Sequence, residues 1–183
     1  MAACSGSLKL LVLVALAGVF TLATACTEKD TVSNNVATVK IRGKTHFLEI
    51  AATPDKRMLG LGGRTQIADD GGMIFVFPAS QVTVQNFVMR DCPIDIDIIY
   101  TDGVGRVLAT HEMKAVDPRD ETKGEGKPGD FDNANYDRRL VRYSSRYPAT
   151  FAIELKAGSI KTLGVKEGDL AEFDYAALKK MAQ

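Results

Sequence analysis

The 183-residue sequence has no tryptophan, only two histidines and only three cysteines. His46 and His111 stand far apart, and neither sits in a recognised zinc-ligand spacing. Cys4, Cys26 and Cys92 do not make the even, regularly spaced set of a disulfide framework. Net charge is also missing: 23 basic side chains balance 23 acidic ones. A chain without a basic excess lacks the electrostatic footprint of a nucleic-acid binder, so no nucleic-acid partner is expected. No internal repeat or low-complexity tract is present.

Acid is absent from the N-terminus, where the first acidic residue is Glu28. What stands there instead is an apolar run, Leu8 to Leu22, broken only by Lys9, Gly18 and Thr21. A short basic region before such a run is the pattern of a secretory signal peptide. The uninterrupted part is shorter than the roughly 18 apolar residues of a spanning helix. Ala23-x-Ala25 offers the small residues of a cleavage site, predicting a signal over residues 1–25. Cys26 follows at once, as in a lipobox, although Ala23 stands where a lipobox usually has Leu. Two outcomes are open: Cys26 is acylated, or it becomes a plain mature N-terminus. In the second case a Cys26–Cys92 bridge is conceivable in an oxidising periplasm. Residues 26–35 are polar and read as a tether. Removal of residues 1–25 takes one lysine and no acid, leaving 158 residues with one net negative charge. That length suits one β-rich domain over 36–183, held by apolar burial.

Val36 to Ile41 and Thr45 to Ala51 read as strands around an Arg42-Gly43-Lys44 turn. Thr53-Pro54-Asp55 is a helix start, with Thr as cap and Pro at the first position. Met73 to Phe77 is apolar throughout, which predicts a strand buried on both faces and stopped by Pro78. Val82 to Met89 is a further strand. Ile94-Asp95-Ile96-Asp97-Ile98 alternates, so the isoleucines should face the core and the aspartates the opposite side. Arg106 to Glu112, Phe151 to Leu155 and Leu170 to Tyr175 complete the strands. Residues 117–147 form an insertion: a charged, Gly- and Pro-rich loop, then a helix over Asn133 to Arg142 capped by Asp132. Ser159 to Leu163 is a short helix closed by Gly164, and Tyr175 to Met181 a tail helix. The fold class is mostly β with short helices (α+β): a small curled or closed, mainly antiparallel β-barrel. Gly168-Asp169 looks like a GD-box turn, with Gly168 supplying a positive φ and the Asp169 carboxylate accepting N–H bonds.

Several stretches carry a resemblance. They are Ala51-Ala52-Thr53-Pro54 through Arg57, Gly60-Leu61 and Arg64; Gly72 through Pro78; and Phe87-Val88-Met89-Arg90-Asp91 with Ile96-Asp97-Ile98. Ile153 through Gly158 and Gly168-Asp169 complete them. In this order they resemble the domain of unknown function family numbered one hundred and ninety-two, over about Val39 to Ala171. The resemblance implies an exported β-rich domain and brings no established activity or cofactor. Gly62-Gly63 stand where the family has Met-Phe, Val88 where it has Trp, and Asp95 where it has Pro. If bulky side chains line a pocket there, this pocket is wider.

The charged residues within those stretches are the candidate ligand-binding set: Arg57, Arg64, Arg90 and Asp97, with Met89 beside them. Arg suits bidentate capture of carboxylate or phosphate. The competing reading is a closed salt-bridge network with Asp91, Asp97 and Glu154. Met89, Cys92, His111 and Met113 are a weaker candidate for a soft copper site, set against ordinary core filling by Met and Cys. Tyr136, Arg138, Arg139, Arg142, Tyr143, Arg146 and Tyr147 form a basic, aromatic segment, either a docking patch or a solvated face balanced by nearby acids. Ser144 and Ser145 lack a nucleophile elbow.

These residues point to an envelope-located module that binds a small polar or anionic ligand or an envelope protein, without a cofactor, tied to the membrane by a lipid anchor and exported to the periplasm. The alternative is a hydrolase-like enzyme acting on an envelope glycan, using Asp97 and neighbouring arginines. The anchor is testable directly. Cys26→Ser should move the protein from the membrane to the soluble fraction of cells, and intact mass should show an acylated Cys26 in the unsubstituted chain. An unmodified thiol at Cys26 rules the anchor out.

Overall fold

The computed structural model describes residues 35–183, so the signal, most of the tether and Cys26 lie outside the described residues. Nine strands and four short α-helices follow one another: β1 (Val36–Ile41), β2 (Lys44–Ala51), α1 (Pro54–Leu59), β3 (Gly72–Val76), β4 (Val84–Phe87), β5 (Ile96–Thr101), β6 (Val107–Met113), α2 (Ala134–Asp137), β7 (Tyr143–Pro148), β8 (Phe151–Lys156), α3 (Ser159–Leu163), β9 (Ala171–Glu172) and α4 (Tyr175–Met181). Seven strands form one sheet in the order β6-β5-β8-β3-β2-β1-β9, and β4 pairs with β7 separately. Among the described strands only β2 and β3 pair in parallel. The crossover between them is α1 and its following loop.

The large sheet curls until its edges meet. Arg106, just before β6, bridges Leu170, just before β9. Around this seam Val107 N–H donates to Asp169 O at 2.8 Å and Gly168 N–H to Val107 O at 2.9 Å. The Gly168-Asp169 turn therefore forms the closing stitch. Gly168 has φ +90°, and the Asp169 carboxylate accepts the Lys166 N–H at 2.9 Å. The curled, mostly β, α+β architecture is as the sequence predicts.

Two apolar clusters lie on opposite sides of the sheet. The inner one takes alternate residues from strands of both edges and the centre, among them Val39, Leu48, Ile74, Ile99, Phe151 and Ala171. The outer one takes the other faces of β3, β5 and β8, including Phe75, Ile98 and Ala152, and is covered by loop residues such as Leu61, Met89 and Cys92. This double covering is why β3 is buried at every position. It also explains β5. Ile96 and Ile98 point into the outer cluster as expected, but the opposite face is the barrel interior and not solvent, so Asp97 is only 1% exposed. Asp95 falls before the strand and bonds Lys114 at 2.8 Å.

Local signals fix several boundaries. The Thr53 hydroxyl accepts the Lys56 N–H, and Pro54 opens α1. Arg42 and Gly43 both take positive φ in the β1–β2 hairpin, as a tight primed turn demands. Three expectations need correction. The cap of α2 is Asn133, whose Oδ1 accepts the Tyr136 N–H at 3.0 Å, and the helix spans four residues, not ten. The strand expected over Val82 to Met89 is only β4. The last strand is two residues long, because the chain leaves the seam to start α4. The strand β7 had no expectation at all. Helices α3 and α4 pack at opposite ends of β5: Asp97 accepts the Ile160 N–H of α3, while Lys179 of α4 bonds Gly103 beyond the far end.

Phe151 is fully buried in the inner cluster, its ring 5.0 Å edge-on to Phe173. Phe151→Ala should cost about 3–5 kcal/mol of unfolding free energy. Phe47, on the same sheet but 53% exposed, should tolerate Ala within about 0.5 kcal/mol. Urea denaturation of both variants checks the ranking; equal midpoints would contradict the two-sided core.

Candidate functional site

The outer cluster is not sealed everywhere. Between α1 with its following glycines and the segment Phe87 to Cys92 lies a cleft of about 240 Å³. Its floor is the outer face of β3, β5 and β8, contributing Phe75, Ile96 and Glu154. Phe87 of β4 closes one side, 4.8 Å edge-on to Phe75 and 5.7 Å from Tyr100. Met58 and Leu59, each 62% exposed, stand at the rim.

Glu154 is the unusual member. Strand alternation turns it to the outer face with Ala152, directly opposite Ile98 on β5 and Met73 on β3. It is 6% exposed, and its Oε2 has no hydrogen-bond partner among the described residues. Burial in apolar surroundings disfavours the charged form and pushes the carboxyl from its ordinary value of 4.5 up to about 8. Burial is the one cause, so no neighbouring cation relieves it. Gly60 lies over this group: a Cβ there would sit 3.4 Å from Phe75 Cζ and 4.0 Å from Glu154 Oε2. With φ +53° and ψ −138°, Gly60 holds a backbone shape that a side chain resists.

The cleft brings together three of the five residues singled out from the sequence: Arg57, Met89 and Arg90. Arg64 and Asp97 do not line it. Arg64 pairs at 2.9 Å with Glu49 on an exposed surface. Asp97 faces the barrel interior; burial raises its carboxyl, and N–H bonds from Ile160 and Gly158 pull it back. Neither arginine of the cleft is free. The Arg57 guanidinium donates to the backbone oxygens of Ala52, Val76 and Gln183 and to Gln81 Oε1, pinning α1 to β3 and the C-terminal segment. Arg90 is paired with Asp137 at 2.7 Å. Neither Glu154 nor Asp97 forms an ion pair among the described residues, contrary to the salt-bridge alternative, and its third acid, Asp91, pairs with Arg119 and with none of Arg57, Arg64 and Arg90.

Asp91 ties the insertion to the cleft wall. It holds Arg119 through two bonds of 2.7 and 2.9 Å, and Gly129 N–H adds a third. Burial works to raise this carboxyl, but the Arg119 and Gly129 bonds outweigh it and hold it below the usual range. Arg119 and Arg139 stack on Tyr136 at 3.9 and 4.7 Å, and Arg139 forks onto Glu125. The basic, aromatic segment is thus knitted to acids. Tyr136 and Arg139 are spent on structure.

Of the soft-ligand set, Met89, Cys92 and Met113 all pack in the outer cluster. His111 Nε2 lies 2.7 Å from Ser144 O, and its ring sits between Tyr100 and Tyr143. Among the described residues no three His, Cys, Asp or Glu side chains stand close enough to hold a metal ion. His46 is sealed in the barrel with neither ring nitrogen bonded, and burial lowers its pKa.

The model of DUF192, described as "Uncharacterized ACR", matches residues 37–173. The chain belongs to this family. Two solved structures share the fold. A protein from Sinorhizobium meliloti 1021, described as a putative transcription regulator, is 27% identical, with TM-score 0.57, covering 79% of this chain and 98% of its own. A protein of unknown function from Novosphingobium aromaticivorans DSM 12444 is 26% identical, with TM-score 0.55, covering 75% and 84%. Among functionally curated proteins no sequence matches. Within this DUF192 chain, Gly62 and Val88 both line the cleft.

The titration of Glu154 has a definite sign. Its folded pKa lies above the unfolded value, so the native state holds the extra proton between 4.5 and about 8. Stability is full below 4.5 and falls as pH rises to 8. His46 acts oppositely, losing stability as pH drops below 6.5. Glu154→Gln should remove only the first effect. From pH 5 to 8 its denaturation midpoint should fall less than that of the unsubstituted protein. Parallel profiles across that range would show that Glu154 is not held protonated.

Proposed function

We propose that this chain is a small-ligand-binding module of the bacterial cell envelope, with the cleft between α1 and Phe87–Cys92 as its site. One observation carries the reading. A native core does not leave a carboxyl oxygen buried and unpartnered without compensation, because the desolvation costs about 1–3 kcal/mol or more. Here the unsatisfied group faces an open cleft, where a guest could supply the missing bond. Exposed Met58 and Leu59 at the mouth add apolar surface to cover.

The envelope location rests on the signal-like N-terminus and Cys26. None of the described helices is long and apolar enough to cross a membrane, so an anchored domain would be held through residues preceding 35. The hydrolase alternative needs Asp97 in a pocket with arginines. Asp97 is occupied by α3, and the cleft's arginines are occupied by carbonyls and Asp137. The word regulator attached to the Sinorhizobium protein is not carried over, since near-neutral charge gives no hold on nucleic acid.

Binding is checked by methyl NMR on the protein purified from cells, titrated with mixtures of small fragments. Met89 and Leu61 methyl signals should shift, and those of Leu48 and Ile153 in the barrel should stay. Shifts confined to other surfaces, or none with any mixture, would overturn the reading.

A further inference from the structure

The chemistry of the cleft selects a class of guest. Its polar groups are unequal. Arg57 lines it but has given its donors to Ala52, Val76, Gln81 and Gln183, and Arg90 is held in an ion pair with Asp137. Among the acceptors lining the cleft, Glu154 Oε2 is the one buried with neither a hydrogen bond nor an ion pair. An anionic guest would have to compete with Asp137 for Arg90 and would face an acid. A guest bearing N–H donors would complete the one unsatisfied acceptor. Apart from Asn86, the remaining side chains of the wall are apolar and partly aromatic, and the faces of Phe rings attract a cation. A volume of about 240 Å³ lies below the roughly 300–1,000 Å³ of drug-sized pockets, so the guest is small.

We propose that the cleft takes a small amine with an apolar body: its ammonium group pairs with the Glu154 carboxylate, and its hydrocarbon part lies against Phe75, Phe87 and Met89. This rests on the ligand-binding reading of the same cleft and names the guest. Binding is linked to a proton. In the empty cleft near pH 7 Glu154 is the neutral acid, since burial holds it up to about 8. An entering ammonium favours the carboxylate, so the Glu154 proton passes to solvent and an ion pair remains. No covalent bond forms or breaks besides that O–H. Affinity therefore rises as pH climbs towards 8. Gly60 is part of the device, since a side chain there would narrow the approach to Oε2.

The test uses benzylamine, benzyl alcohol and benzoate, which share one ring and differ in charge. Met89 methyl shifts report occupancy. Calorimetry at pH 7 in two buffers of different ionisation enthalpy reports proton release. Benzylamine should bind with nearly one proton released and should tighten between pH 6 and 8. Benzyl alcohol and benzoate should bind at least about tenfold more weakly, and Glu154→Gln should lose about tenfold or more for benzylamine, the scale of a charged hydrogen bond. If the variant does not fold, proton release by the unsubstituted protein still decides. Benzoate or benzyl alcohol moving Met89 as strongly as benzylamine, or benzylamine binding without proton release, overturns the amine assignment while leaving a binding cleft. No Met89 shift with these probes or with any fragment mixture removes the binding reading itself.

Discussion

Strands β3, β5 and β8 carry apolar side chains on both faces, and water must be kept from both. The inner face is covered by curling the sheet until Arg106 meets Leu170. The outer face needs a second layer, and the chain supplies it with α1 and its loop, the β4–β7 pair and the segment through Cys92. The cleft exists because that second layer is made of separate pieces. Where α1 and Phe87 approach without touching throughout, the outer face of the sheet stays open, and Glu154 lies beneath.

The arginines illustrate how charge serves this layering. Each loop that covers the outer face must be held by something other than a ladder of strand hydrogen bonds. Arg57 fastens α1 to carbonyls on β3 and the C-terminal segment. Arg90 and Asp91 fasten the insertion through Asp137 and Arg119, with the Arg119 side chain only 2% exposed. Truncating one side of so buried a pair strands its partner, which is why such pairs hold loops firmly without adding much net stability. Asp97 does the same for α3 at the end of the barrel. These residues were conspicuous in the sequence because they are charged within apolar stretches, and the structure gives nearly all of them fastening roles.

Glu154 was the harder residue to read. It sits in Phe151-Ala152-Ile153-Glu154-Leu155, where alternation places it opposite the inward residues, and a charged residue on the outer face of a strand ordinarily means solvent. Its neighbours in sequence do not reveal that Met89, Cys92 and Phe87 arrive from some sixty residues away to bury it. The signal that could have found it is its partner strand: β3 reads as covered on both faces, so β8, which pairs with it, must lie under the same outer layer.

The sequence by itself determined what depends on residues close along the chain: the Thr53–Pro54 helix start, the Arg42–Gly43 turn, the Gly168–Asp169 turn and the doubly buried β3. It also carried enough ordered motifs to indicate DUF192. Tertiary structure alone decided which charges are spent and which is left over. Hydrogen-bond satisfaction depends on groups distant in sequence, as Arg57 with Gln183 and Asp91 with Arg119 show. Only once those pairings are made does one buried carboxyl among the described residues, Glu154, remain without a hydrogen bond or ion pair.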